Sequence, residues 1–142
     1  MLDDVADYLL IPFVDRGRSR AGVDCWGLVW LVYREMLGIE LPSYRSDYPD
    51  VDAHAWLAEL VRDQKRRFWQ EVYPVQRMDV ALFAITGQDG VRRPCHVGLV
   101  LDDEAGLFLH AQKRQGVGVG YYRKSVFAQR WAHRFLGAYR RA

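Results

Sequence analysis

The stretch HVGLVLDDEAGLFLHA, residues 96–111, sets two short apolar runs on either side of the turn DDEAG (102–106). Runs of this length, rich in branched and aromatic side chains and bounded by turn residues, predict two antiparallel strands joined by a tight connection. The pattern continues outward. DVALFAI (79–85) precedes it across the turn TGQDG (86–90), and GVGVGYY (116–122) and RFLGAYR (134–140) follow. The second half of the chain is expected to be a meandering antiparallel sheet of about five to six strands.

Upstream of Pro74 the period changes from two to that of a helix. In VDCWGLVWLVYREMLGIELP (23–42), Asp24 is an N-cap and Leu28, Val29, Val32 and Met36 line one face below Cys25, with Gly38 as the stop and Pro42 beyond it. Val5, Ala6, Leu9 and Leu10 recur at helical spacing behind Asp3 or Asp4, and Pro12 closes that segment. Residues 53–68, AHAWLAELVRDQKRRF, form a further amphipathic pattern with Trp56, Leu57, Leu60 and Val61 inward. VDRGRSRAGV (14–23) and PSYRSDYPDVD (42–52) lack periodicity and read as exposed loops. Helices followed by strands predict an α+β domain, and 142 residues fit one domain spanning 1–142.

Composition narrows the function. A 50% hydrophobic chain supplies a core without metal or disulfide staples, and its two cysteines form no CxxC pair. A formal net charge of +2 is too mild to imply nucleic acid, and the runs DQKRRFW and YRRA read as solvated surface. The N-terminus MLDDVADYLLIPFVDRG is acidic and has no long apolar run, so neither a secretory signal nor membrane insertion is expected.

Cys25 is the residue with chemical potential. A thiol needs its pKa lowered from ~8.5 to act as a nucleophile, and unpaired N–H groups at a helix start favour the thiolate. Asp24 opposes this unless its oxygens cap the backbone. A nucleophilic cysteine also needs an imidazole. His96 opens one strand and His110 closes the next, so both reach one rim of the sheet, and a helix packed there would complete a Cys25, His96, His110 constellation. Cys95 adjoins His96, and in a regular strand the two face opposite sides, so Cys95 is expected to be structural and a zinc site of Cys25, Cys95, His96 and His110 is disfavoured. His54 and His133 have no comparable placement. Trp26, Trp30, Trp56 and Trp131 suit core packing. The plain alternative for Cys25 itself is a buried small hydrophobe.

Taken in order, DCWGLVWLVYREMLGIELP, VQRMDVALFA, HVGLVLDDEAGLFLHA and GAYRR resemble the NlpC/P60 cysteine peptidases over residues 12–141. The resemblance implies a papain-like α+β fold and cleavage of bacterial cell-wall stem peptides next to D-glutamate. By position, Cys25 matches the nucleophile, His96 the general base and His110 the third polar residue, with oxyanion donors from the backbone of Asp24 and Cys25. No metal or cofactor is implied. Two departures fall at substrate-facing positions: Trp26 stands where the family has serine, and Phe13 where it has tyrosine. Met78 replaces the glycine before Asp79. The DCWGL variant is most similar to tail-associated peptidases of bacteriophages and gene transfer agents. That implies tail-tip or hub proteins as partners, assembly in the host cytoplasm, and action at the wall from the particle's tail tip. Retention of the fold as a structural tail module, and acyl transfer to an amine instead of water, are the competing expectations.

Overall fold

The computed structural model describes residues 4–44, 69–86, 89–123 and 129–141, without the side chains of Ile85, Arg93, Cys95 and Gln129. The helix expected over 53–68, with His54 and Trp56, lies outside the described residues, as does most of the loop 42–52.

Helix α1 (Cys25–Val32) begins where Asp24 caps it, and passes into a π-helical turn (Tyr33–Leu37) that Gly38 ends in the left-handed conformation at φ 65°. Seven of its eight α-helical residues are buried, so it is a central helix and not an amphipathic surface one. Of the expected stripe, Leu28, Val29 and Val32 are inside, joined by Leu31, while Met36 and Trp30 are partly buried against the same core.

Strands β3 (Trp69–Glu71), β4 (Val80–Thr86), β5 (Arg92–Asp102), β6 (Leu107–Gln112), β7 (Gly116–Tyr121) and β8 (Phe135–Arg141) form one antiparallel sheet in the order β3-β8-β4-β5-β6-β7. β4 to β7 are the expected meander. β8 departs from it by returning to the far side of β4, and β3 then pairs with β8. Flanked on both sides, β4 is buried on both faces, which is why its sequence VALFA is a continuous apolar run without alternation. Gly98 shows how closely β5 and β6 approach: a Cβ there would stand 2.8 Å from the Leu109 carbonyl oxygen.

The sheet has two covered faces. One packs Val97, Leu99, Leu109 and Ala111 into the cluster that contains Cys25, Leu28 and Val29 of α1. The other gathers Ala81, Phe83, Val100, Phe108, Tyr122 and Trp131, the last from the four-residue helix α2 (Gln129–Ala132).

Two sequence expectations are corrected. The helix near the N-terminus is only a 3₁₀ turn, Ala6–Tyr8, with Val5 and not an aspartate at its start and no side-chain cap. Its continuation is lost because the chain instead lies along β7, where Leu10 N–H bonds the Val117 carbonyl and Val117 N–H bonds the Ile11 carbonyl, both at 2.9 Å. Residues 14–23 are not merely a loop: they fold into a small hairpin, β1 (Arg18–Ser19) with β2 (Gly22–Val23). None of the described helices is long and apolar enough to cross a membrane.

Candidate active site

Asp24 starts the site. Its Oδ1 accepts from the Gly27 N–H at 2.7 Å and from Arg18 Nη1 at 2.8 Å, and its Oδ2 accepts from the Arg16 N–H at 3.0 Å. The carboxylate is therefore held by the helix end and by a cation, and its charge is not left to repel a thiolate. The Asp24 carbonyl takes the Leu28 N–H at 3.0 Å, closing the first turn of the helix above Cys25. Gly27 admits the hairpin: a Cβ there would stand 2.0 Å from the Gly17 carbonyl oxygen. The small residue two places after the cysteine thus lets the Arg18 hairpin press on the helix start.

His96 and His110 meet as the strand pattern requires. His96 Nε2 lies 2.8 Å from His110 Nδ1, with the rings near perpendicular at 76°. Burial pushes His96 well below the ordinary histidine range, with His110, Arg134 and Arg130 adding repulsion of the charged form. Burial likewise lowers His110, to about 4, with Arg130 contributing. Both rings are neutral at pH 7, so one donates and the other accepts across the pair. If His96 Nε2–H is the donor, His96 Nδ1 keeps the lone pair a general base needs.

Cys25 is buried, 1% exposed, and α1 packs on β5 and β6, the strands that carry the histidines. The thiol shares its cluster with Val97, Leu109 and Ala111, the residues flanking His96 and His110 along the chain. The histidine rings look to the aromatic side of the sheet. The register supplies a break in the pleat at the start of β5: Phe83 pairs His96 but Ala84 pairs Pro94, so Cys95 is the extra residue of a β-bulge. The expected facing of the Cys95 side chain lies outside the described residues.

The other sequence candidates fall in different places. Trp26 is 4% exposed and its indole N–H is used on the Pro42 carbonyl at 2.9 Å, so it packs inward, edge-on to Trp69. Phe13 is half-buried against the core and bridges Val23. His133 is exposed. The YRRA segment is not all solvated surface, because Arg140 grips the buried Asp79 through Nε and Nη2, both at 2.7 Å.

Two residues at the site were not singled out from sequence. Arg18 lies in a stretch without periodicity, where the signal that marks it is three arginines just ahead of an aspartate. Trp131 suits core packing by its sequence, and in the fold its indole lies flat on His96 with ring centroids 4.9 Å apart. Only the tertiary fold brings it there.

A central helix that starts at a capped cysteine and lies against an antiparallel sheet bearing two bonded histidines defines an α+β class of thiol and imidazole domains. The NlpC/P60 family model matches residues 11–136, and the chain belongs to that family, whose members are generally cysteine peptidases and peptidoglycan hydrolases. Among solved structures, the NlpC/p60 domain of the peptidoglycan hydrolase SagA is similar in fold, with a TM-score of 0.54 and 21% identity over 84% of this chain and 85% of that one. Tail tip assembly protein K of Escherichia phage N15 is 46% identical over 39 residues, a match that takes in 28% of this chain and 16% of that protein's length.

Proposed function

We propose that this protein is a cysteine peptidase that hydrolyses peptidoglycan stem peptides next to D-glutamate, with Cys25 as nucleophile, His96 as general base and His110 as its orienting partner. The observation that carries this is the 2.8 Å His96–His110 pair on the strands against which the Cys25 helix packs. His96 Nδ1 takes the thiol proton as Sγ adds to the scissile carbonyl carbon. The carbonyl oxygen becomes an oxyanion, and the backbone around Asp24 and Cys25 at the helix start supplies the donors that receive it. The imidazolium returns the proton to the departing amine, leaving a thioester. Water, deprotonated by the same Nδ1, adds to the thioester and releases the new carboxylate and the thiol. His110 Nδ1 accepts the His96 Nε2–H throughout, which fixes the tautomer and favours the transient imidazolium. This route requires Cys25 Sγ and His96 Nδ1 to meet at the rim where β5 begins. Half-buried Phe13 is a candidate wall for the substrate, while buried Trp26 supports the helix start from within.

The place of action we assign is the tail tip of a phage-like particle, where the enzyme opens the wall locally during entry alongside other tail-tip proteins. The match to a phage tail tip assembly protein supports this. One observation favours a second reading, a structural tail module without turnover: the 1% exposure of Cys25.

Digestion of purified peptidoglycan by the wild-type chain and by Cys25→Ala, followed by mass spectrometry of the released fragments, separates the two readings. Peptides with new amine termini are expected from the wild type alone. Equal release by both proteins removes Cys25 from the chemistry, and no release by either favours the structural module.

A further inference from the structure

Trp131 comes from α2, outside the sheet, yet it touches both histidines. Its indole is stacked on His96 at 4.9 Å and 26°, and meets His110 edge-on at 4.9 Å and 87°. Phe83 and Phe108 complete the enclosure: Phe83 lies 5.4 Å from Trp131, and Phe108 lies 4.5 Å from His110. The guanidinium groups of Arg130 and Arg134 sit 5.4 and 5.2 Å from the Trp131 ring centre, within cation–π range. The pair beneath is nearly dry, with His110 2% and His96 8% exposed.

An imidazole on its Cβ–Cγ bond turns in a broad, roughly two-fold well, and a half-turn moves Nε2 away from its partner. A single hydrogen bond between neutral rings is worth only about 1 kcal/mol when water competes for it. A flat aromatic surface on one ring removes both freedoms, because rotation would drive the imidazole edge into the indole and water has no route to the bond.

We propose that Trp131 is a positioning residue for the histidine pair: its indole, flat on His96 and edge-on to His110, holds His96 with Nε2 on His110 and seals that hydrogen bond from water. The consequence for turnover rests on the peptidase reading above; the consequence for the histidines does not. Among the described residues, the charged and titratable groups that act on His96 are His110 from β6, Arg130 from α2 and Arg134 just beyond it, and the peptidase reading adds the Cys25 thiol from α1. His110 and the two arginines, with burial, disfavour its protonation. Loss of the indole admits water, so His96 then binds its proton at a higher pH.

The test compares Trp131→Leu, which keeps apolar bulk without an aromatic face, with Trp131→Phe, which keeps a smaller one. Each is made in the full chain, and again with Cys25→Ala so that the thiol does not titrate alongside the imidazole. In the Cys25→Ala background, NMR follows the imidazole Hε1 resonances against pH. The His96 midpoint is expected to rise by about one unit or more in Trp131→Leu and by less in Trp131→Phe, towards the ordinary ~6.5. With Cys25 intact, kcat on peptidoglycan fragments is expected to fall about tenfold or more in Trp131→Leu with KM within about twofold, and Trp131→Phe restores most of it. If Trp131→Leu fails to fold, the same midpoint is read from Trp131→Phe. An unchanged His96 midpoint in a folded variant overturns the proposal. A wild-type chain that cleaves nothing overturns the peptidase reading and leaves the NMR result to decide this one.

Discussion

Arg18 Nη1 lies 2.8 Å from Asp24 Oδ1, and both side chains are almost closed to water, 7% and 1% exposed. The guanidinium also spans to the Ser43 carbonyl at 2.8 Å and the Gly17 carbonyl at 2.9 Å, so it ties the hairpin, the chain beyond α1 and the helix cap together. Removing one partner of such a pair strands a buried charge, which costs about 3 to 5 kcal/mol. Arg18→Ala is therefore expected to lose about that much in urea unfolding. Its unneutralised Asp24 carboxylate, next in sequence to Cys25, also raises the thiol pKa, so iodoacetamide modification of Cys25 at pH 7 slows. A variant with unchanged stability and unchanged alkylation would show that Asp24 needs no cation.

Gly27 gives a result opposite in sign to the usual one. Inside an exposed helix, Gly→Ala stabilises by roughly 1 kcal/mol. Here the added methyl would stand 2.0 Å from a backbone carbonyl oxygen and 2.9 Å from Arg18 Nη1, so either the hairpin or the cap contact must move. Gly27→Ala is expected to destabilise by about 2 kcal/mol or more in denaturant titration. Combined with Arg18→Ala the loss should be less than additive, because both act on the same junction.

How much of this was legible in the sequence follows from how local each signal is. The Asp24 cap, the Gly38 stop and the strands from Val80 to Tyr121 rest on neighbours within a few residues, and they stand where the pattern put them. The nearness of His96 and His110 also follows from a hairpin, a local device. What escaped depends on distant chain. Leu10 leaves its helix because it pairs with Val117, β8 reaches β4 across most of the sheet, and Trp131 finds His96 only once both faces of the sheet are covered. The hairpin at Arg18 was missed for a different reason: its strands are two residues each, too short for alternation to register.

Met78, the residue in the family's glycine position, has φ 72°, in the left-handed region where a side chain costs roughly 1 kcal/mol. Its carbonyl is held there by the Tyr33 hydroxyl, which donates to it at 2.6 Å from the π-helical turn. Tyr33→Phe is expected to lose about 1 kcal/mol, the net value of one partly buried hydrogen bond. Met78→Gly in the Tyr33→Phe background should recover part of that loss, measured by thermal melting, since glycine meets this φ without strain. No recovery would mean that the Met78 side chain contributes more by packing than its backbone costs.

The histidine pair makes the fold acid-sensitive in a defined window. Burial, with Arg130, holds His110 at about 4 in the native state, and an unfolded histidine titrates near ~6.5. Above ~6.5 neither state binds the proton and there is no effect. As pH falls from there to about 4 the unfolded chain binds more protons, so native stability declines, by up to about 1.4 kcal/mol per pH unit for this group and on the order of 3 kcal/mol in all. His96, lowered further by burial, steepens the same decline. Urea midpoints at pH 7.5, 6.0 and 5.0 should fall in that order. His110→Asn removes one of the two groups and should flatten the slope.

His110 also separates an orienting partner from a proton carrier. Being neutral at pH 7, it has no charge to contribute. If the peptidase reading holds, it contributes an acceptor atom 2.8 Å from His96 Nε2. Asparagine places a carbonyl oxygen where the histidine has Nδ1, so His110→Asn retains the acceptor, whereas His110→Ala leaves the His96 N–H buried and unbonded. Turnover of peptidoglycan fragments is expected to fall by about 100-fold in His110→Ala and by less than about 10-fold in His110→Asn. The loss should appear in kcat and not in KM, because the bond strengthens as His96 gains its proton. Equal losses in the two variants would instead mean that His110 takes part through its second nitrogen, which asparagine cannot supply.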